Sequence, residues 1–257
     1  MDTEVVKAVI MGVVQGITEF FPISSTAHLI LFPWFFGWGG DIDTLTFDVA
    51  LHGGTLVALL VCFYRDWIEL FARDRHTLLF IMLATIPAAV VGILLNDVVE
   101  QTFRSPLIIV FSLVGFGVLM LVAEKRGRRL KERVSLFDAL VIGCAQAVAL
   151  VPGVSRSGIT IAAGLFRNIK RESAARFSFL LSTPIIAGAT LLEGRKLVEH
   201  PDGYPLDVFA AGFAAAFVSG YFAIKFLLSF LRRHPLNAFV YYRFLLAAII
   251  VGVWLGQ

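Results

Sequence analysis

The chain is 257 residues long, 58% of them hydrophobic and 16% charged, and its mean hydropathy of +0.83 lies far above that of a soluble domain. These values exclude an ordinary soluble globular domain and predict a polytopic membrane protein. The net charge of +3 would suit a nucleic-acid partner, but the basic residues cluster beside apolar segments, where the positive-inside rule explains them more simply. We therefore expect no nucleic-acid partner.

The apolar segments fall into two kinds. The first residues carry Asp2 and Glu4 and lack the basic region of a secretory signal, so we expect the first segment to stay in the mature protein. Two long regions, 5–36 and 136–166, are interrupted midway by polar residues, Pro and Gly, and neither predicts an ordinary spanning helix. Six runs are predicted to cross the bilayer as helices, at 49–64, 77–95, 105–123, 177–192, 206–231 and 238–255.

Lys and Arg residues in the short loops predict the orientation. The loop 124–133, "EKRGRRLKER", is strongly basic and belongs in the cytoplasm. The assignment is consistent only if each interrupted region enters and leaves on one side, the first from outside and the second from the cytoplasm. Both chain termini and the opening of the site are then expected in the periplasm. The other predicted cytoplasmic loops are 65–76, 167–176 and 232–234, and the opposite ones are 37–48, 96–105 and 193–205.

An internal repeat emerges when the sequence is shifted by 131 positions. The shift brings "KAVIMGVVQG" onto "DALVIGCAQA" and aligns four pairs of identical residues. Each half, about 1–123 and 134–257 around the basic loop 124–133, holds one interrupted segment and three spans. An odd number of crossings inverts the second copy, so one membrane domain, 1–257, is expected to place both interruptions together near the bilayer centre. The matched pairs are Ala8 with Ala139, Gly12 with Gly143, Gln15 with Gln146, and Ser24 with Ser155.

The first interrupted segment carries an unusual set of polar side chains for a membrane region. Ionisable groups at this depth are functional candidates, because they are unfavourable there unless they pair or face water. Gln15 and Glu19 are four residues apart and share a helix face, and Pro22 ends or kinks that helix. His28 follows Ser25 by about one turn, close enough to share a proton. The candidate residues of this segment are Gln15, Glu19, Ser24, Ser25, Thr26 and His28.

The second interrupted segment, "PGVSRSGIT", has the composition of an anion site. Glycines let the backbone approach a ligand, hydroxyls donate hydrogen bonds, and a helix restarting near Ser157 would present free amides. Arg156 adds a planar fork suited to phosphate oxygens. Together the two segments supply the side chains needed to hydrolyse a phosphate ester or anhydride, namely a nucleophilic hydroxyl, an acid or base and a group that binds the anion. The candidate residues here are Gly153, Ser155, Arg156, Ser157 and Thr160.

Other interpretations of these residues stay open at this point. Ser and Thr in membrane helices often bond back to the backbone, and Arg156 would also suit a buried structural pair with Glu19. Lys225 and Arg243 are expected to snorkel from helix ends and are left out of the site. Glu124 and Glu193 are expected to be solvated ends of spans. A secondary transporter or lipid flippase is the rival function, because inverted repeats with broken helices are typical of that class.

Two motifs resemble a known family. "QGITEFFPISSTAH" resembles the first signature of the undecaprenyl-pyrophosphate phosphatase family, the bacitracin-resistance type, and "PGVSRSGIT" resembles the second; "YYRFLLA" near the end also fits. The resemblance implies an all-α inner-membrane enzyme of inverted repeats with two re-entrant helix pairs. Such an enzyme removes the terminal phosphate of a C55 polyprenyl diphosphate to give the carrier used in peptidoglycan assembly, with a divalent cation such as Mg or Ca as cofactor. A homodimer is a further expectation.

The resemblance also implies roles for individual residues. Glu19 corresponds to the glutamate linked to metal binding or nucleophile activation, and Gln15 stands where some members have Glu, which leaves a single carboxylate for the metal. Ser25 matches the nucleophile, His28 the motif histidine and Arg156 the arginine that holds the diphosphate. Ser25, deprotonated with help from Glu19 or His28, is then expected to attack the terminal phosphorus. Direct attack by water, with Ser25 only positioning, is the alternative.

Overall fold

A computed structural model describes residues 3–102, 105–199 and 205–256 of the chain. The described residues form helices and turns with no β-strand, which confirms the predicted all-α class. A short 3-10 turn, Gly40–Asp43, precedes the third helix. The eleven α-helices among the described residues are α1 Thr3–Phe20, α2 Ser25–Phe36, α3 Leu45–Cys62, α4 Tyr64–Ala72, α5 Arg75–Thr102, α6 Pro106–Arg126, α7 Leu136–Val148, α8 Arg156–Phe166, α9 Arg171–Glu199, α10 Leu206–Arg233 and α11 Asn237–Leu255.

Within the described residues, six helices are long and apolar enough to cross a membrane, and they correspond to the six predicted runs. α3, α5 and α6 follow the first pair of short helices, and α9, α10 and α11 follow the second pair. The predicted loop 65–76 is largely helical, because α4 occupies most of it. The candidate spans are Leu45–Cys62, Arg75–Leu95, Pro106–Arg126, Arg171–Leu192, Leu206–Arg233 and Asn237–Leu255.

The first helix of each predicted half packs against a spanning helix of the other half. α1 of the first half packs along α10 of the second, and α7 of the second half packs along α5 of the first. The matched glycines lie at both contacts: a Cβ on Gly12 would lie 2.3 Å from the carbonyl oxygen of Gly212, and one on Gly143 would lie 2.2 Å from that of Ala84. Side chains at these two positions would force the helices apart. Corresponding positions of the two halves therefore make corresponding helix contacts.

Both interrupted regions are broken helices, as predicted. α1 ends at Phe20 before a turn that contains Pro22, and α2 begins at Ser25. Ser24 and Ser155, matched in the repeat, adopt φ of 76° and 74°, a backbone region that residues other than glycine rarely enter. Each serine caps the following helix, since the Ser24 hydroxyl accepts from the amide of Ala27 and the Ser155 hydroxyl from that of Gly158.

The expectation that Arg243 snorkels from a helix end is wrong. Its side chain is fully buried, and its guanidinium donates to five backbone carbonyl groups. The breaks leave carbonyls without intrahelical donors, and a guanidinium carries five N–H donors, so one side chain can bond several of these acceptors. The acceptors are Pro22 in the first break, Gly153 and Val154 in the second, and Ser112 and Leu113 in α6, at 2.7 to 3.4 Å.

Glu124 is also not the solvated helix end that the sequence suggested. It is 7% exposed, and its carboxylate accepts hydrogen bonds from the guanidinium groups of Arg129 and Arg171 and from the amide of Leu236 at 3.3 Å. A carboxylate surrounded by three donors can be buried at little net cost. The side chain of Glu193, placed in the same expectation, lies outside the described residues.

Replacing Arg243 by methionine is expected to destabilise the protein. Arg243→Met removes five buried hydrogen bonds and takes this donor from the carbonyls of both breaks, and we expect the free energy of unfolding to fall by at least about 3 kcal/mol. Thermal unfolding in detergent measures the loss. Lys225→Met is the matched control, because Lys225 is exposed, and its midpoint should stay at the wild-type value. An unchanged midpoint for Arg243→Met would contradict the assignment.

Candidate active site

The two helix breaks meet at one cleft of about 240 Å³. The cleft is polar where the breaks meet and apolar along α3, α5 and α9, where Val49, Ala88 and Ile185 contribute. The amide of Gly153 in the second break donates to the Ser24 hydroxyl of the first at 3.0 Å, so the breaks are joined directly. The polar lining residues are Glu19, Ser24, Ser25, Thr26 and His52 from the first half and Gln146, Ser155 and Arg156 from the second.

Glu19 is the centre of the polar side. Its Oε1 forms an ion pair with the Arg156 guanidinium, while its Oε2 accepts from the Ser25 hydroxyl at 2.5 Å and from the Gln15 amide nitrogen at 3.1 Å. His52 Nε2 lies 3.6 Å from the same Oε2. Ser25 of the first motif and Arg156 of the second therefore meet at one carboxylate. The structural pairing of Arg156 with Glu19, kept open above, is present as well.

Ser25 is placed for activation. It is the first residue of α2, is partly exposed in the cleft, and donates its hydroxyl hydrogen to a carboxylate that can accept the proton. Arg156 is likewise the first residue of α8. The residues at both helix N-termini line the cleft, and helix N-termini favour anions through their free amides and the helix dipole. A negatively charged group is the ligand that this arrangement suits.

Three predicted binding residues do not line the cleft. The hydroxyl of Thr160 is fully buried and donates to the Arg156 carbonyl at 2.7 Å, and that of Ser157 donates to the Phe21 carbonyl at 3.2 Å. The Gly153 amide is occupied by Ser24. Their groups hold the second break and join it to the first. Ser24, Thr26 and Ser155, by contrast, reach the cleft.

His28 does not share a proton with Ser25, contrary to the sequence expectation. Its Nδ1 donates to the Ser24 carbonyl at 2.7 Å, because a carbonyl can only accept, and its Nε2 lies 2.7 Å from the Tyr242 hydroxyl. The ring stacks on that of Tyr242 with centroids 5.7 Å apart and lines a separate apolar groove. Both ring nitrogens are therefore occupied away from the cleft, and His28 supports the first break.

Two polar residues of the cleft, His52 and Gln146, were not among the site residues predicted from the sequence. His52 lies on α3, donates from Nδ1 to the Asp48 carbonyl at 2.7 Å, and turns Nε2 to Glu19. An imidazole inside the predicted span 49–64 was a sufficient signal, because ionisable residues in spans are functional candidates. Gln146 was used only to align the repeat, and nothing in its apolar surroundings marked it as a cleft residue.

The residues at Glu19 do not form a cage for a resident metal ion. Both carboxylate oxygens already accept from protein donors, and Gln15 turns its amide nitrogen, a donor, towards them. The Oε1 of Gln15 is a buried oxygen without a hydrogen-bond partner among the described residues. A hard divalent cation binds to oxygen ligands, and the two Glu19 oxygens that would serve are already bonded to Arg156, Ser25 and Gln15. Within the described part of the chain, no group of three or more His, Cys, Asp or Glu residues is arranged to hold a metal.

Comparison with known proteins places the chain in a family. Residues 8–249 match the family described as bacitracin resistance protein BacA. A relative named undecaprenyl-diphosphatase from Thermodesulfovibrio yellowstonii is 55% identical over 247 residues, which cover 96% of each chain. Relatives of the same name from Moorella thermoacetica and Rubrobacter xylanophilus are 48% and 47% identical, each over 98% of this chain and 99% of the relative. The chain belongs to the bacitracin resistance protein BacA family.

Proposed function

We propose that this protein is a phosphatase that removes the terminal phosphate of undecaprenyl diphosphate. The product, undecaprenyl phosphate, is the lipid carrier of cell-wall assembly, and its recycling confers bacitracin resistance. The observation that carries the proposal is the meeting of the Ser25 hydroxyl, the Glu19 carboxylate and the Arg156 guanidinium in one cleft. The names of the relatives support the same substrate. A transporter or flippase is not favoured, because transport requires no hydroxyl activated by a carboxylate.

The proposed chemistry uses these three residues. Glu19 takes the Ser25 proton as the serine oxygen attacks the terminal phosphorus, and the bond from that phosphorus to the bridging oxygen breaks. Undecaprenyl phosphate leaves, and the serine carries the phosphoryl group. Arg156 and the free amides of α2 and α8 stabilise the charge on the transferring oxygens. Water then attacks the phosphoserine, inorganic phosphate leaves, and the proton returns to Ser25.

The apolar side of the cleft supports a lipid substrate. Val49, Ala88, Ile185 and Ile186 line it and come from α3, α5 and α9, which are candidate spans. An isoprenoid tail placed along this wall would remain in apolar surroundings while the diphosphate reaches Glu19 and Arg156. We also propose that the two halves form an inverted repeat and that the protein lies in the inner membrane. The basic loops suggest that both termini and the opening of the cleft face the periplasm. A homodimer remains a prediction.

Loss of Ser25 or Arg156 is expected to abolish most phosphate release. Ser25→Ala removes the attacking oxygen, and we expect a rate at least about 10³-fold lower. Arg156→Gln removes the cation that faces the transferring group and should lower the rate by about 10²- to 10³-fold. Phosphate release from undecaprenyl diphosphate in detergent measures both. Thr85→Val is the control, because the Thr85 hydroxyl donates to the Ile81 carbonyl of its own helix and does not line the cleft.

Two further results would decide the role of Arg156 and whether a phosphoserine forms. Full activity of Arg156→Gln would remove the anion-binding part of the proposal. Acid quenching of wild type during turnover of a substrate labelled in its terminal phosphate should leave label on the peptide that contains Ser25. Absence of the label, with Ser25→Ala still inactive, would favour direct attack by water.

Substitutions of His52 and His28 are expected to have different effects on kcat and on thermal stability. His52→Gln should lower kcat by about 10- to 100-fold at an unchanged thermal midpoint, because His52 faces the oxygen that accepts the Ser25 proton. His28→Gln should lower kcat and the thermal midpoint together, because it breaks the bonds to Ser24 and Tyr242. Tyr242→Phe tests the loss of the bond between His28 and Tyr242 alone. A loss of kcat without a loss of stability in His28→Gln would contradict the supporting role.

A divalent cation remains part of the proposal as an ion that arrives with the diphosphate. The phosphate oxygens of the substrate would supply ligands for this ion that the side chains at Glu19 lack. We expect a chelator to reduce phosphate release and added Mg²⁺ or Ca²⁺ to restore it, while the thermal midpoint of the protein without substrate stays the same. A chelator that lowers this midpoint would instead indicate an ion held by the protein itself.

A further inference from the structure

Gln146 is a buried amide without a hydrogen-bond partner in the cleft wall. It lies on α7, is 2% exposed, and neither its Nε2 nor its Oε1 bonds to any described residue. Native proteins bond nearly all buried polar groups, so an amide with both ends free calls for an explanation. Gln15, Trp67, Arg129 and Thr190 each have one buried unpartnered atom, and none of them lines the cleft. Gln146 is therefore both a buried amide without a partner and a residue of the cleft lining, and the two features together point to a ligand.

The matched residue of the first half indicates which kind of acceptor an amide at this position would take. Gln15, the counterpart of Gln146 in the first half, donates its amide hydrogen to Glu19, the residue four positions later on the same helix. Four positions after Gln146 the chain has Leu150 instead. The amide of the first half thus has an anionic acceptor from its own segment, and the amide of the second half has none. An anion that enters the cleft would supply the missing acceptor.

We infer that Gln146 binds the diphosphate, donating from Nε2 to a non-bridging phosphate oxygen. Its Oε1 accepts from a water molecule or from a protonated phosphate oxygen in the same cleft. Ser155 and Arg156 line the cleft with it, so the second half presents a hydroxyl, a guanidinium and an amide to one anion. This inference rests on the proposed function and adds a substrate-binding residue to it.

Steady-state kinetics of two substitutions test the inference. Gln146→Met keeps the length of the side chain without its polar ends, and we expect the KM for undecaprenyl diphosphate to rise about tenfold, which corresponds to about 1.4 kcal/mol. Gln146→Glu replaces the donor by a negative charge, and the rise should exceed that of Gln146→Met. The thermal midpoint without ligand should not fall in Gln146→Met. A wild-type KM, or a rise that accompanies a lower midpoint, overturns the inference.

Thr190→Val is the matched control. It removes a buried unpartnered hydroxyl outside the cleft, so KM should stay at the wild-type value. Binding is also measured without turnover, from the rise in thermal midpoint that undecaprenyl phosphate produces. That rise should be reduced in Gln146→Met and kept in Thr190→Val; an equal rise in all three proteins overturns the inference. A wild type that releases no phosphate would refute the proposed function alone, because this shift still tests Gln146.

Discussion

The guanidinium of Arg243 binding the backbone of both helix breaks is the interaction on which the rest of the structure depends. A broken helix at membrane depth exposes carbonyl groups that lipid cannot bond, so they need a donor from the protein. Arg243 donates to Pro22 in the first break and to Gly153 and Val154 in the second, and it ties both to α6. One buried cation thus fixes the two irregular segments against each other and makes a non-helical site tolerable there.

The chemistry of the cleft follows from that arrangement. With the breaks fixed, the Ser24 hydroxyl accepts from the Gly153 amide, and the residues that begin α2 and α8 lie at the same cavity. Glu19 then contacts Ser25 and Arg156 at once. The carboxylate of the free protein neutralises Arg156, and an anionic substrate competes for that guanidinium. Binding of a phosphate would therefore free Glu19 to act on Ser25, so that the same contact holds the empty site together and prepares the nucleophile.

The sequence was sufficient for features that depend on local pattern. Hydropathy located the six spans, Pro22 and the glycines located the breaks, and the repeat register placed Gly12 and Gly143 at equivalent contacts. It was insufficient where a side chain is bonded by distant parts of the chain. Arg243 looked like a helix-end cation because its carbonyl partners lie about 90 to 220 residues away, and His28 is held by Tyr242, 214 positions along the chain. His52 could have been predicted from the sequence, since an imidazole in a predicted span is unusual without a function.

The sequence match between the halves also relates positions of the cleft that carry different side chains. Positions 25 and 156 are equivalent under the shift of 131, and each is the first residue of the helix that follows a break. One half places a hydroxyl there and the other a guanidinium. Hydrolysis of an anhydride needs a nucleophile on one side of the phosphorus and positive charge around its oxygens, so identical halves would supply two of one and none of the other. The paired positions 19 and 150 also differ, and a second carboxylate in place of Leu150 would repel the phosphate of the proposed substrate.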